Sequence, residues 1–98
     1  MFVQLIDSHM SDVDTALSEL HKEYERAADG KHTVRRAITA RDRDDSTHLV
    51  SLVFFDSYES AMQNSELPET QEMSAKMNAL VDDVEFQNLD VIDDRSFT

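Results

Sequence analysis

The sequence predicts an α+β fold of the ferredoxin-like kind. A four-stranded antiparallel sheet carries its helices on one face, in the order βαββαβ. Three observations lead there. Strand-like runs and helical periodicities alternate in that order along the 98 residues. The second and third strand-like runs are parted only by a short polar turn, which makes them an antiparallel hairpin. The lone glycine and the lone proline, Gly30 and Pro68, fall where helical patterns stop and restart. One domain covers residues 1–93, and the tail at 94–98 is expected to be loosely held.

"FVQLIDSH", residues 2–9, is the first strand. "FVQLI" is apolar on both parities except at Gln4, the pattern of a strand buried on both faces. Ser11, with Asp14 three residues on, approximates a capping box and starts a helix. Val13, Ala16, Leu17, Leu20, Tyr24 and Ala27 form its inner stripe, and Gly30 ends it. "HTVRRAITARD", 32–42, is the second strand and "THLVSLVFF", 47–55, the third. In the third strand His48, Val50, Leu52 and Phe54 share one face, and Leu49, Ser51, Val53 and Phe55 the other. Asp56 with Glu59 then signals a second helix start. That helix is short, because proline lacks an N–H and pushes the residue before it out of helical geometry. The chain should bend between Gln63 and Leu67. It resumes helix at Pro68, with Thr70, Met73, Met77 and Leu80 facing inward. "VEFQNLDVI", 84–92, is the last strand.

Composition narrows the function. Twenty-one acidic against nine basic residues give a net charge of −12, which argues against nucleic acid and anionic membrane partners. No apolar run approaches the roughly 20 residues of a membrane-spanning helix. The start "MFVQLIDSHM" has no basic stretch or cleavage signature, and cysteine is absent, so a cytoplasmic protein is expected. The histidines are not spaced as metal ligands, and a single glycine excludes a phosphate-binding loop. No metal or other cofactor is expected.

The segment "TARDRDDSTHLVSLVFFDSYESAMQNSELPET", with "MSAKMNAL" and "FQNLDV" after it, resembles the antibiotic biosynthesis monooxygenase-like domains of the dimeric α/β-barrel superfamily. The likeness covers nearly the whole chain. It implies a homodimer closed through sheet faces and a cleft between the sheet and the broken second helix. It also implies, as one activity, cofactor-independent oxygenation of an aromatic or quinol-type molecule. The alternative within the same fold is a non-catalytic small-molecule-binding or structural dimer. By the same resemblance, Gln4 falls where haem-degrading relatives place an asparagine facing the ligand. Asn64 falls where they place a tryptophan.

Candidate ligand-binding residues are Gln4, Tyr58, Asn64, His48 and Arg36, and no catalytic residue is assigned. Each has a plain structural alternative. A buried Gln4 needs partners within the protein. Tyr58 packs a helix as readily as it binds an oxygen, Asn64 suits a helix end, and His48 suits an exposed strand end. Arg35 and Arg36 are neighbours on a strand and point to opposite faces, one for an acidic partner and the other for an anionic oxygen.

Haem is not an expected ligand. The chain has no tryptophan, and His9, His21, His32 and His48 all lie outside the second helical segment. Haem iron needs a placed axial donor. Titration with haemin should therefore give no sharp, stoichiometric Soret shift, and such a shift would refute this reading.

Overall fold

The chain opens with β1 (Phe2–His9) and continues through α1 (Val13–Ala27), β2 (Arg36–Arg41) and β3 (His48–Phe55). It closes with α2 (Tyr58–Ser65), α3 (Pro68–Leu80) and β4 (Asp83–Asp90). The computed structural model describes residues 1–27 and 33–97. The four strands form one antiparallel sheet in the order β2-β3-β1-β4. The two strands that read as apolar on both parities, β1 and β3, are the central pair. The two edges are the more polar β2 and β4.

Residues directly opposed in the ladder share a face. Phe2, Gln4, Ile6 and Ser8 stand opposite Phe55, Val53, Ser51 and Leu49, on the face that the helices cover. Val3 and Leu5 stand opposite Phe54 and Leu52 on the other face, which no described helix covers.

The covered core divides into two clusters. Phe2, Val53, Phe55 and Ala61 form one, with Met62 of α2 against it. Met10, Val13, Ala16 and Leu49 form the other, against which Met77, Leu80 and Val81 pack. Met10 is fully buried. Its N–H donates to the Thr47 carbonyl at 2.9 Å, tying the end of β1 to the hairpin.

Three local expectations are corrected. The first helix is capped by Asp12, not by Ser11 with Asp14. Asp12 accepts from the Thr15 N–H at 3.1 Å and the Thr15 hydroxyl at 2.6 Å. These bonds hold the Asp12 carboxyl below the usual carboxylate range, the hydroxyl bond contributing most. Asp14 instead reaches Arg41 at 3.2 Å. The second helix is capped by Ser57, whose Oγ accepts from the Ser60 N–H at 3.1 Å. Asp56 is drawn away by Arg35, whose Nε and Nη2 donate to its Oδ2 at 2.9 and 2.7 Å. Regular pairing of the second strand begins at Arg36, later than sequence periodicity placed it. The expected end of α1 at Gly30 and the side chains of Tyr24 and Ala27 lie outside what is described.

The predicted break is present. The Glu66 and Leu67 N–H groups donate to the Gln63 and Asn64 carbonyls at 3.3 and 3.2 Å. Leu67 is extended, at φ −65° and ψ 136°, and Pro68 opens α3. Thr70, Met73, Met77 and Leu80 are the inward stripe of α3, yet each is only half-buried. α3 packs through Met77 and Leu80 against Met10, Val13, Ala16 and Leu49, and space remains between its inward stripe and the sheet.

Met10→Ala should cost about 2–5 kcal/mol, the range for emptying a fully buried methionine site. Urea unfolding should register a lower midpoint at unchanged slope. A loss below about 1 kcal/mol would mean that Met10 is not a keystone of its cluster.

Candidate functional site

The space under α3 is a cavity of about 160 Å³ between the sheet, α1 and α3. Its floor is the covered sheet face, including Gln4, Ile6, Ser8, Ser51 and Val53. Its walls are Ala16, Leu17 and Leu20 of α1 and Thr70, Met73 and Met77 of α3. Asn64 closes the end nearest the break, and Val84 and Phe86 reach it from β4. The lining is mostly apolar, with isolated amides and hydroxyls, the usual make-up of a small-molecule site. No acidic, basic or histidine side chain is among the described lining residues.

Two of the five sequence candidates meet here. Gln4 lies at mid-strand, opposite Val53 on one side and Asn88 on the other. Gln4 is half-buried, and among the described residues its amide has no hydrogen-bond partner. Asn64 is buried, at 8% exposure. Its Oδ1 accepts the backbone N–H of Thr33 at 3.2 Å. A backbone N–H can only donate, so the contact fixes which end of the amide is used. The Nδ2 donors stay unengaged among the described residues. The Thr33 hydroxyl donates in turn to the Ser60 carbonyl at 2.5 Å, fastening the approach to β2 onto α2.

The other three candidates lie elsewhere. Tyr58 is half exposed, and its ring meets Phe2 edge-on at 5.5 Å, so its body packs α2 onto the sheet. Arg36 stands opposite Phe54 and His48 opposite His9, both on the uncovered face of the sheet. His48 is engaged there with Asp42 and Asp7, at 2.9 and 2.7 Å. Of the two adjacent arginines, Arg35 is the one with an acidic partner. Its hydrogen bond is the main cause that holds the Asp56 carboxyl below its usual range.

Sequence reasoning did not find Ser8, Thr39, Ser51, Ser74 and Asn78 in the lining, nor the hold of Thr33 on Asn64. Ser51 had a legible signal, a lone hydroxyl inside the apolar run of β3. Thr39 then follows from pairing, since it lies opposite Ser51 with the two hydroxyl oxygens 3.4 Å apart. Thr33 had no signal, because its part is played by its backbone.

No described helix is long and apolar enough to cross a membrane, and no group of metal-ligating side chains occurs among the described residues. Compared by sequence, the chain matches no family model and no curated protein. Compared by structure, it is similar to SnoaB, a cofactor-independent oxygenase from Streptomyces nogalater, solved as an asparagine-to-alanine variant. The TM-score is 0.80 at 13% identity, over 95% of each chain. A structure described as an antibiotic biosynthesis monooxygenase matches at a TM-score of 0.78 and 12% identity, covering 95% of this chain and all of that one. A conserved protein from Methanosarcina mazei Go1 matches at 0.77 and 10% identity, over 91% of each chain. At such identities the likeness speaks for the fold alone. The fold of this chain is the ferredoxin-like α+β fold of the antibiotic biosynthesis monooxygenase structures.

Proposed function

We propose that the chain is a cofactor-independent monooxygenase-type protein that takes an aromatic, quinol-type small molecule into the cavity beneath α3. The observation that carries this is an apolar cavity lined by three amides, Gln4, Asn64 and Asn78, of which Gln4 and Asn64, the two foreseen from sequence, have donors to spare. Oxygenation without a cofactor requires that a phenolic substrate lose a proton and that the resulting anion be stabilised. Amide N–H groups set in an apolar surround stabilise such an oxyanion more strongly than water-exposed ones. The structure similar to SnoaB supports the reading. Asn64 is the buried asparagine among the described residues. A cavity of about 150 Å³ holds one benzene ring, so a volume near 160 Å³ suits a monocyclic quinol.

One observation favours the second reading, a binding protein without catalysis. The described lining has no general base. An oxygen electrode separates the two. Uptake of oxygen with a substituted hydroquinone, above the rate without protein, supports the enzyme. Tight binding with no added uptake supports the binder.

The same proposal includes a homodimer joined through the uncovered sheet faces. Val3, Leu5, Leu52 and Phe54 make one end of that face apolar, away from the His9–His48 end. The accessible surface is 6936 Å², against about 5,700 Å² for a compact monomer of this mass. The excess is of the order that a standard interface hides on one partner, about 800 Å². Phe97, 89% exposed on the tail, would add apolar surface to such a contact.

Asn64→Leu and Gln4→Leu should each weaken hydroquinone binding while the circular dichroism spectrum is kept. A hydrogen bond lost at a buried ligand oxygen costs about 1–3 kcal/mol, or roughly 5- to 150-fold in Kd. Unchanged affinity in both variants would remove the two amides from the site. Light scattering at micromolar concentration should return about twice the 11.2 kDa chain mass. A clean monomer would defeat the dimer and leave the apolar face unexplained.

A further inference from the structure

The uncovered face carries a second cluster, at the end of the sheet where the β2–β3 turn meets β1 and β4. The rings of His9 and His48 stack face to face, 4.5 Å apart and 12° from parallel. His48 Nδ1 lies 2.9 Å from Asp42 and its Nε2 lies 2.7 Å from Asp7. His9 Nδ1 lies 2.8 Å from Asp83, with its Nε2 3.9 Å from Asp45. Four carboxylates from β1, β4 and the turn thus meet two imidazoles. Glu85 adds a fifth negative group opposite Asp7 on β4. No lysine or arginine pairs with any of them among the described residues. The nearby turn is itself laced by carboxylates, Asp42 accepting the Asp44 N–H at 2.8 Å and Asp45 the Thr47 N–H at 3.0 Å.

A neutral imidazole donates from one nitrogen only. Two short contacts from the ring of His48 to two carboxylates can both be hydrogen bonds only when that ring carries its second proton. We propose that His48 is a proton-operated latch, which in its charged form ties the β2–β3 turn to the central strand β1 and opens when the proton leaves. Without that proton one nitrogen lone pair faces a carboxylate oxygen, and the acidic cluster loses its central positive charge.

The direction of the pH effect follows. Hydrogen bonds that His48 donates to Asp42, and then to Asp7, raise its pKa above the ordinary value of 6.5. The latch is fully closed below that value. Its contribution to stability is lost as pH climbs through the higher value of the folded state. Asp42 sets the acid limit. Its carboxyl is held below 3.8, first by His48 and then by the Asp44 N–H, so its share fails only as pH falls through that lowered value.

The test uses the full chain. NMR titration of the assigned His48 ring should give a pKa above that of the same residue in the urea-unfolded chain. Thermal unfolding should show a midpoint that falls as pH rises from about 6 to about 9. In His48→Gln that fall should be reduced, and the difference isolates His48 from the other histidines. A folded-state pKa at or below the unfolded value overturns the latch. So does a pH profile of His48→Gln that overlays the parent's. Should the variant not fold, the ring titration of the unaltered chain decides alone.

Discussion

The break at Pro68 is the constraint from which the rest of the helical layer follows. Proline cannot donate a backbone hydrogen bond, and it forces Leu67 into an extended conformation. The helix therefore stops with its last free N–H groups folded back on the Gln63 and Asn64 carbonyls. α3 then leaves on its own axis. α2 lies close on the sheet through Ala61 and Met62, whereas α3 reaches the core through Met77 and Leu80 at its far end. Between those two points of support the core is unfilled. The cavity lies between the sheet, α1 and α3, with Asn64 of α2 in its lining.

How far the sequence shows this depends on the kind of signal. Strands and helices were legible because hydrophobic period is a repeated signal, summed over many residues. The break was legible from one residue because proline acts through covalent geometry. Caps were not. Ser11 and Asp12 are adjacent acceptors, as are Asp56 and Ser57, and only tertiary partners decide between them. Arg35 takes Asp56 and leaves Ser57 to cap. Gln4 could be singled out because it is polar in an otherwise apolar strand. Tyr58, His48 and Arg36 could not be placed, since alternation tells which residues share a face but not which face meets the helices. The His9–His48 stack depends on strand register, and register is a long-range property.

The charge distribution sorts in the same way. The net charge of −12 is carried partly by carboxylates with local partners. Asp12 caps a helix, Asp56 binds an arginine, and Asp42 and Asp45 brace a turn while meeting imidazoles. Each such bond favours the ionised form, so these groups tolerate closeness that would otherwise be repulsive. The acidic run at 42–45 therefore forms part of the scaffold at the sheet's turn-side end.

An uncharged cavity inside an acidic shell also constrains what enters it. An anion would approach against the long-range field of the surface. It would then exchange water for an apolar lining, with no described cation to receive it. A neutral quinol meets neither barrier. On that proposal its proton would leave only after entry, and the Gln4 and Asn64 amides would favour the release by bonding the oxyanion more strongly than the parent hydroxyl. The described lining has no base, so in the proposed reaction the proton would pass to solvent water or to oxygen as the quinol reduces it. In the proposed function, selection against charge at entry and stabilisation of charge within would come from one arrangement, an acidic exterior over a cavity whose polar side chains, among the described lining residues, are amides and hydroxyls.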